Sequence, residues 1–256
     1  MNNSPIGIFD SGIGGITIFN SIKKLLPKED IIYFSDNLNS PYGNKSIETI
    51  KKISFNNTQW LLDNGCKLIV VACNTATTNS ISDLRNKFNI PFVGIEPAIK
   101  PAAMKTKTGK IGVLATKGTL SSDLFNTTSI DYASNIEILE KNGDGLVELI
   151  ENGIFEGIEI ENLLHKHLDF MINKKIDHLV LGCTHYPFLI KVLSELLPSS
   201  IKIIDSGEAV AKQTKSLLIN NKIENKSSQG KYSFYYNGDS ASLNKVLNHK
   251  FEIKRI

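Results

Sequence analysis

The chain has 256 residues, of which 41% are hydrophobic and 21% charged, with a formal net charge of +3. This composition is typical of a globular protein with one large or two medium domains, and the small net charge argues against nucleic acid as a partner. No stretch has the length of a membrane span. Three cysteines are too few for a disulfide framework, and residues 1–10 lack the pattern of a signal peptide, so we expect a cytoplasmic protein.

Strands and helices are predicted to alternate along the chain. Short apolar runs predict buried strands, in chain order, at 6–10, 31–34, 68–72, 90–93, 110–114, 136–139, 177–181, 201–204 and 232–236. Apolar residues at helical spacing predict a helix from residue 16, then helices at 46–64, 77–88, 145–151, 159–173, 187–197, 208–219 and 240–247. This alternation predicts an α/β fold with parallel sheets covered on both faces.

Two stretches of the chain resemble each other, VACNTATT at 71–78 and LVLGCTHYPF at 179–188. Each is an apolar run that reaches a cysteine, Cys73 or Cys183, followed by residues with hydroxyl, amide or imidazole groups. Open α/β sheets bind ligands at the carboxyl ends of their strands, where both cysteines are predicted to lie. A second echo, FDSG at 9–12 and IDSG at 204–207, supports two similar halves that each present one thiol to a shared cleft.

Two facing thiols could act as an acid and a base. A helix N-terminus lowers the pKa of a cysteine from its free value of about 8.5, and each thiol is expected beside the first turn of the helix that follows it. One thiolate could remove an α-proton while the other thiol protonates the opposite face of the same carbon, which is a racemase mechanism. Asp10 and His185 are candidates to set the protonation states of Cys73 and Cys183, respectively.

Other interpretations of these residues remain open. Buried cysteines are often inert, and Cys66 has no polar context that favours chemistry. The glycines at 12–15 do not form a dinucleotide-binding or phosphate-binding motif, and His185 lacks the further His or Cys neighbours of a metal site. A small-anion-binding protein, or a redox protein with a Cys73–Cys183 disulfide, would also use this arrangement.

The motifs as a set resemble the glutamate racemases of the aspartate/glutamate racemase superfamily. They are IGIFDSGIGG, SDNLNSPYG, VVACNTATT, VGIEPAIKPA, VLATKGT, LGCTHYPFL, DSGEAVA and SFYYNGD, in this order over almost the whole chain. The resemblance implies two pseudo-symmetric α/β domains, 1–96 plus 210–256 and 97–209, with the active site between them. It further implies a cofactor-independent and metal-independent enzyme, commonly a homodimer, that supplies D-glutamate for peptidoglycan.

The resemblance also implies roles for individual residues. Cys73 and Cys183 would be the catalytic acid/bases, the first acting on the D-isomer and the second on the L-isomer, assisted by Asp10 and His185. The matching substrate-binding positions are Asp10, Ser11, Tyr42, Gly43, Asn74, Thr75, Thr184 and His185. Asp36 and Glu151 match acidic positions near the site. Racemisation of aspartate or of a hydantoin is the nearest alternative reaction.

Overall fold

The computed structural model describes residues 4–133, 135–226 and 228–256. The strands are β1 Ile6–Asp10, β2 Ile31–Ser35, β3 Leu68–Val71, β4 Phe92–Gly94, β5 Lys110–Ala115, β6 Glu137–Asn142, β7 His178–Gly182, β8 Lys202–Ile204, β9 Tyr232–Tyr236 and β10 Ile253–Arg255. The α-helices are α1 Ile16–Leu25, α2 Ile47–Asp63, α3 Asn74–Lys87, α4 Ile99–Lys105, α5 Lys117–Leu120, α6 Asp123–Ala133, α7 Leu146–Glu151, α8 Ile158–Asn173, α9 Ile190–Leu196, α10 Gly207–Asn220 and α11 Ala241–Val246. Short 3-10 helices span Asn37–Asn39, Tyr42–Asn44 and Tyr186–Leu189.

The strands form two parallel sheets. The first has the order β10-β9-β2-β1-β3-β4 and the second has the order β6-β5-β7-β8. All of the strand pairs are parallel, which confirms the predicted α/β class. We call the six-stranded sheet with its helices the first lobe and the four-stranded sheet with its helices the second lobe. Division of the chain after residues 96 and 209 stays a prediction, although β9 and β10 do return to the first sheet.

The central strands are buried on both faces. Every residue of β1, β3 and β7 is buried, as expected where helices cover a parallel sheet from both sides. The edge strand β6 is instead half-exposed throughout. Gly7 lets α2 and the segment after it lie close to β1, because a Cβ at that position would come 3.1 Å from Cδ1 of Leu61 and 2.9 Å from the sulfur of Cys66. The buried Cys66 thus has a packing role in the first lobe.

The chain contains elements that its sequence did not predict. The helices α4 and α6 were not predicted, and they pack against each other. Helix α4 has only seven residues and contains Pro101, and residues 126–129 of α6 are Asn, Thr, Thr and Ser, which have low helix propensity. The strand β10 is a three-residue edge strand with two exposed residues, so it carries no hydrophobic pattern. Among the described residues, no helix has both the length and the apolar character that crossing a lipid bilayer requires.

Helix α3 begins earlier than predicted. It starts at Asn74 rather than at Thr77, and Cys73 is its N-cap residue. Asn74 and Thr75 have low helix propensity, which is why the sequence predicted a later start. Burial against the sheet outweighs that preference, since the first turn of α3 is entirely buried. As a result, the thiol of Cys73 lies directly at the amino end of a helix.

Candidate active site

A closed cavity lies between the lobes at the carboxyl ends of the central strands. Its free volume is about 10 Å³, which is room for roughly one water molecule. The residues that line it are Ser11, Pro41, Tyr42, Gly43, Cys73, Asn74, Thr75, Thr116, Val147, Cys183, Thr184 and His185. Both lobes contribute to this wall, and each contributes one of the two predicted catalytic thiols.

Most of the predicted site residues line this cavity. Those that do are Ser11, Tyr42, Gly43, Cys73, Asn74, Thr75, Cys183, Thr184 and His185. Asp10 lies behind the wall, and so do Asp36 and Glu151, through the hydrogen bonds described below. The sequence therefore predicted residues that the fold brings together, whereas their chemical roles stay predictions.

The thiol of Cys73 lies in a buried position with weak hydrogen-bonding partners. Its sulfur accepts a hydrogen bond from the backbone N–H of Ala76 at 3.5 Å and donates one to the Ser11 hydroxyl at 3.8 Å. Burial raises the pKa of Cys73 well above its ordinary value, and the nearby charge of Asp10 raises it further. The helix N–H does lower this pKa, as predicted, but the effect of burial is larger. Cys73 is therefore a protonated thiol at neutral pH.

The thiol of Cys183 has a different neighbourhood. Cys183 follows β7 and is succeeded by a turn and a 3-10 helix containing Pro187, so the predicted helix start beside this thiol is wrong. Its sulfur instead lies 3.6 Å from Nδ1 of His185. The other ring nitrogen of His185, Nε2, lies 2.5 Å from Oε1 of Glu151. Cys183, His185 and Glu151 thus form a hydrogen-bonded chain within the second lobe.

His185 is favoured as an imidazolium. Burial lowers its pKa, but contacts with the Cys183 sulfur and the Glu151 carboxylate raise it, and the net result is a pKa well above the ordinary value. The positively charged ring therefore lies beside the sulfur of Cys183, with Nδ1 at 3.6 Å. Glu151 also accepts a hydrogen bond from the backbone N–H of Ile13 at 2.8 Å, which fixes the carboxylate against the first lobe.

Asp10 is a fully buried carboxylate behind the cavity wall. Its oxygens accept hydrogen bonds from the N–H of Gly12 at 3.0 Å and from the hydroxyl of Thr184, in the other lobe, at 3.2 Å. Burial raises the pKa of Asp10, the positive charge of His185 lowers it, and Glu151 raises it. Asp10 influences Cys73 through its charge, whereas its hydrogen bonds hold the turn after β1 and the loop after β7 together.

Three threonine hydroxyls join the lobes at one side of the cavity. Oγ1 of Thr75 lies 2.7 Å from that of Thr116 and 3.3 Å from that of Thr119. Thr116 was missed by the sequence analysis, together with Pro41 and Val147. A signal for Thr116 existed, because it lies within two residues of the end of a predicted strand, as Cys73 and Cys183 do. Val147 lies within α7 and carried no such signal.

The described residues provide no evident metal site. No group of three or more His, Cys, Asp and Glu side chains in these parts of the chain could hold a metal ion. The three cysteines are free and buried. Ser11, Asn74, Thr75, Thr116 and Thr184 bring hydroxyl and amide groups to the cavity lining. Such donors suit the carboxylates of a small organic anion.

Comparison with known proteins identifies the class. The model of the Asp/Glu/hydantoin racemase family matches residues 6–214, so the chain belongs to this family of isomerases. Curated relatives are named glutamate racemase: one from Clostridium novyi (strain NT) is 46% identical over 85% of both chains. Another, from Herpetosiphon aurantiacus, is 42% identical over 96% of this chain and 97% of its own.

Solved structures give the same result. A glutamate racemase from Bacillus anthracis is 30% identical, with a TM-score of 0.89 over 100% of this chain and 97% of its own. A glutamate racemase from Francisella tularensis, solved in complex with D-glutamate, is 32% identical, with a TM-score of 0.87 over 100% of this chain and 98% of its own. Both matches extend over both lobes of the present chain.

Proposed function

We propose that this enzyme interconverts L- and D-glutamate without a cofactor, using Cys73 and Cys183 as opposed acid and base. The single observation that carries the proposal is that one thiol from each lobe lines the same closed cavity. Glutamate is favoured over aspartate and hydantoins because the relatives that match nearly the full chain at 40–42% identity are named glutamate racemase. We also propose a cytoplasmic homodimer that supplies D-glutamate for peptidoglycan, with domains 1–96 plus 210–256 and 97–209.

In the proposed reaction of the L-isomer, Cys183 is the base and Cys73 is the acid. The Cys183 thiolate, beside the His185 imidazolium, removes the α-proton and becomes a thiol. The Cys73 thiol then donates its proton to the opposite face of the same carbon and becomes a thiolate, which gives D-glutamate. The reverse reaction begins from the protonation states that this turnover leaves, and proton exchange with solvent after product release restores the states that react with the L-isomer.

Burial of the thiols helps to overcome the weak acidity of the α-proton. Burial raises the pKa of Cys73, so its thiolate, once formed, is a stronger base than an ordinary cysteine thiolate. Hydroxyl and amide donors on the wall, from Ser11, Asn74, Thr75 and Thr184, would hold the substrate carboxylates and orient the α-carbon between the sulfurs.

The closed cavity requires movement of the lobes. Its volume of about 10 Å³ is far smaller than glutamate, so the substrate must enter an open form in which the lobes are separated. The cross-lobe hydrogen bonds of Thr75 with Thr116 and of Thr184 with Asp10 would break during that opening. Closure would then exclude water from the reacting carbon.

Chiral chromatography tests the proposed activity. The purified protein is incubated separately with L-glutamate, D-glutamate, L-aspartate and a 5-substituted hydantoin, and a variant with both Cys73→Ser and Cys183→Ser serves as the control. We expect an equal mixture of the two glutamate isomers from either starting isomer, and none from the control. Faster conversion of aspartate or of the hydantoin would reject glutamate as the substrate. Glutamate binding without inversion would instead indicate a non-catalytic binding protein.

A further inference from the structure

The turn that follows β9 lies against the loop that follows β2. The two strands are paired in parallel, with Tyr236 opposite Ser35, so the next residues in each strand, Asn237 and Asp36, leave the sheet side by side. Both segments are at the carboxyl edge of the sheet, the edge at which the active site lies. This register brings the C-terminal part of the chain to the loop that contains Tyr42 and Gly43.

The side chain of Asn237 uses both ends of its amide in this contact. Nδ2 donates a hydrogen bond to Oδ1 of Asp36 at 2.5 Å, and Oδ1 accepts one from the backbone N–H of Leu38 at 3.0 Å. Asn37 also contacts this turn: its Oδ1 accepts a hydrogen bond from the backbone N–H of Gly238 at 3.1 Å, and its Nδ2 donates one to the carbonyl of Asp239. An asparagine at 237 satisfies a carboxylate and a backbone donor at the same time.

Asp36 links Asn237 to the cavity wall. Its carboxylate is fully buried, and Oδ2 accepts hydrogen bonds from the hydroxyl of Tyr42 and from Nδ2 of Asn57, the latter at 3.2 Å. Burial, together with the charge of Asp36, raises the pKa of Tyr42, so the tyrosine keeps the proton that it donates. Tyr42 and its neighbour Gly43 both line the cavity.

The loop has little room to shift on the cavity side. A Cβ at Gly43 would lie 2.9 Å from Cβ of Thr116 in the second lobe, so the backbone there is already in close contact. The C-terminal segment is itself fixed at its other end. The hydroxyl of Ser242 donates to the carbonyl of Glu151, and Nζ of Lys245 donates to the carbonyl of Gly153 at 2.6 Å.

We propose that Asn237 is a positioning residue, which acts through Asp36 to hold Tyr42 and Gly43 in the geometry that binds the substrate. The inference rests on the proposed glutamate racemase function and adds to it a residue far along the chain. Asn237 does not line the cavity, so its effect is on substrate affinity and not on proton transfer. The anchored segment 237–246 provides the fixed point against which the loop is held.

Steady-state kinetics of three variants test this role. Asn237→Ala should raise KM about tenfold for both isomers while kcat changes less than about threefold, because the lost contacts support substrate and transition state alike. Asn237→Ser, whose hydroxyl can replace one of the two hydrogen bonds, should have a KM between those of Asn237→Ala and the wild type. Asn237→Asp should raise KM the most of the three variants, because it places a second carboxylate beside that of Asp36. Asn244→Ala, on α11, is the matched control and should leave KM unchanged.

Hydrogen exchange measured by mass spectrometry gives a readout that does not depend on catalysis. Faster exchange within 36–44 is expected in Asn237→Ala but not in Asn244→Ala. If the alanine variant does not fold, the serine variant decides both measurements. Wild-type protein without glutamate racemisation would reject the proposed function alone. The positioning role alone would be rejected if the wild type were active but the folded Asn237 variants showed unchanged KM and unchanged hydrogen exchange. A fall in kcat at constant KM in these variants would reject it too.

Discussion

The two thiols occupy equivalent places in the two lobes but have different partners. Each cysteine follows a buried central strand, β3 or β7, and each lines the cavity from its own side. Cys73 has a helix N–H and a serine hydroxyl within weak hydrogen-bonding distance, whereas Cys183 has an imidazole supported by a carboxylate. The repeated strand therefore determines where each thiol lies, and the residues just after the strand determine its chemistry.

This difference suits the two thiols to different tasks. Burial keeps Cys73 protonated, and Nδ1 of the His185 imidazolium lies 3.6 Å from the sulfur of Cys183. In the proposed reaction a protonated Cys73 can only donate a proton, which is its role when the L-isomer is the substrate. Because the two isomers have equal free energies in water, kcat/KM must be the same in both directions in every variant. Any asymmetry has to be measured by proton exchange, isotope effects or direct titration.

Removal of one thiol at a time should give the largest effect. Cys73→Ala and Cys183→Ala should each lower racemisation by about 10³–10⁴-fold, since each removes a general acid/base. In deuterated water Cys73→Ala should still place deuterium in L-glutamate without inversion, and Cys183→Ala should do so in D-glutamate. Proton NMR of the α-position follows both reactions. Cys66→Ala is the control, and exchange of the same isomer by both variants would contradict opposed thiols.

Loss of the histidine or of its carboxylate should have a smaller effect. His185→Asn should lower kcat about 100-fold because it removes the cation beside Cys183, whereas Glu151→Gln should lower it about tenfold because an amide oxygen can still accept from Nε2. The primary isotope effect from α-deuterated L-glutamate should rise in His185→Asn, since proton removal by Cys183 becomes slower.

An exposed histidine provides the matched control for this pair. His165 lies on α8, where its ring contacts Asp169 at 3.0 Å, away from the cavity. His165→Asn should therefore leave kcat, and the primary isotope effects from α-deuterated L-glutamate and D-glutamate, as in the wild type. If the isotope effect in His185→Asn rose only with α-deuterated D-glutamate, His185 would assist Cys73 and not Cys183, which would contradict the proposal.

The strand positions of the catalytic residues could be predicted from sequence, because buried parallel strands have a strong apolar signal. The same signal placed Cys73 and Cys183 at the edge where the lobes meet. The start of the helix after each cysteine could not be predicted equally well. Asn74 and Thr75 have low helix propensity, and a 3-10 helix, Tyr186–Leu189, comes between Cys183 and α9. Local pattern also carried no information about Asn237, which reaches Asp36 only through the pairing of β2 with β9.

Contacts between the lobes were the least predictable part of the site. The Glu151–Ile13 contact joins residues 138 positions apart, and the Thr184–Asp10 pair joins residues 174 positions apart. Each partner has an ordinary local sequence, so only the resemblance to a known family suggested Glu151. Direct measurement of protonation in the two lobes would show whether these contacts create the difference between the thiols.

Titration of the thiols should reveal the smallest of these effects. With cysteine labelled by carbon-13 at Cβ and assigned through single Cys→Ser variants, the Cys73 signal should remain at its thiol position at pH 8.5, where a free cysteine is about half ionised. Burial raises the pKa of Cys66 to about 12, so this residue provides an internal thiol standard. Ser11→Ala should raise the pKa of Cys73 further, because the Ser11 contact lowers it in the wild type. A thiolate signal from Cys73 near neutral pH would contradict the effect of burial on the pKa of this thiol.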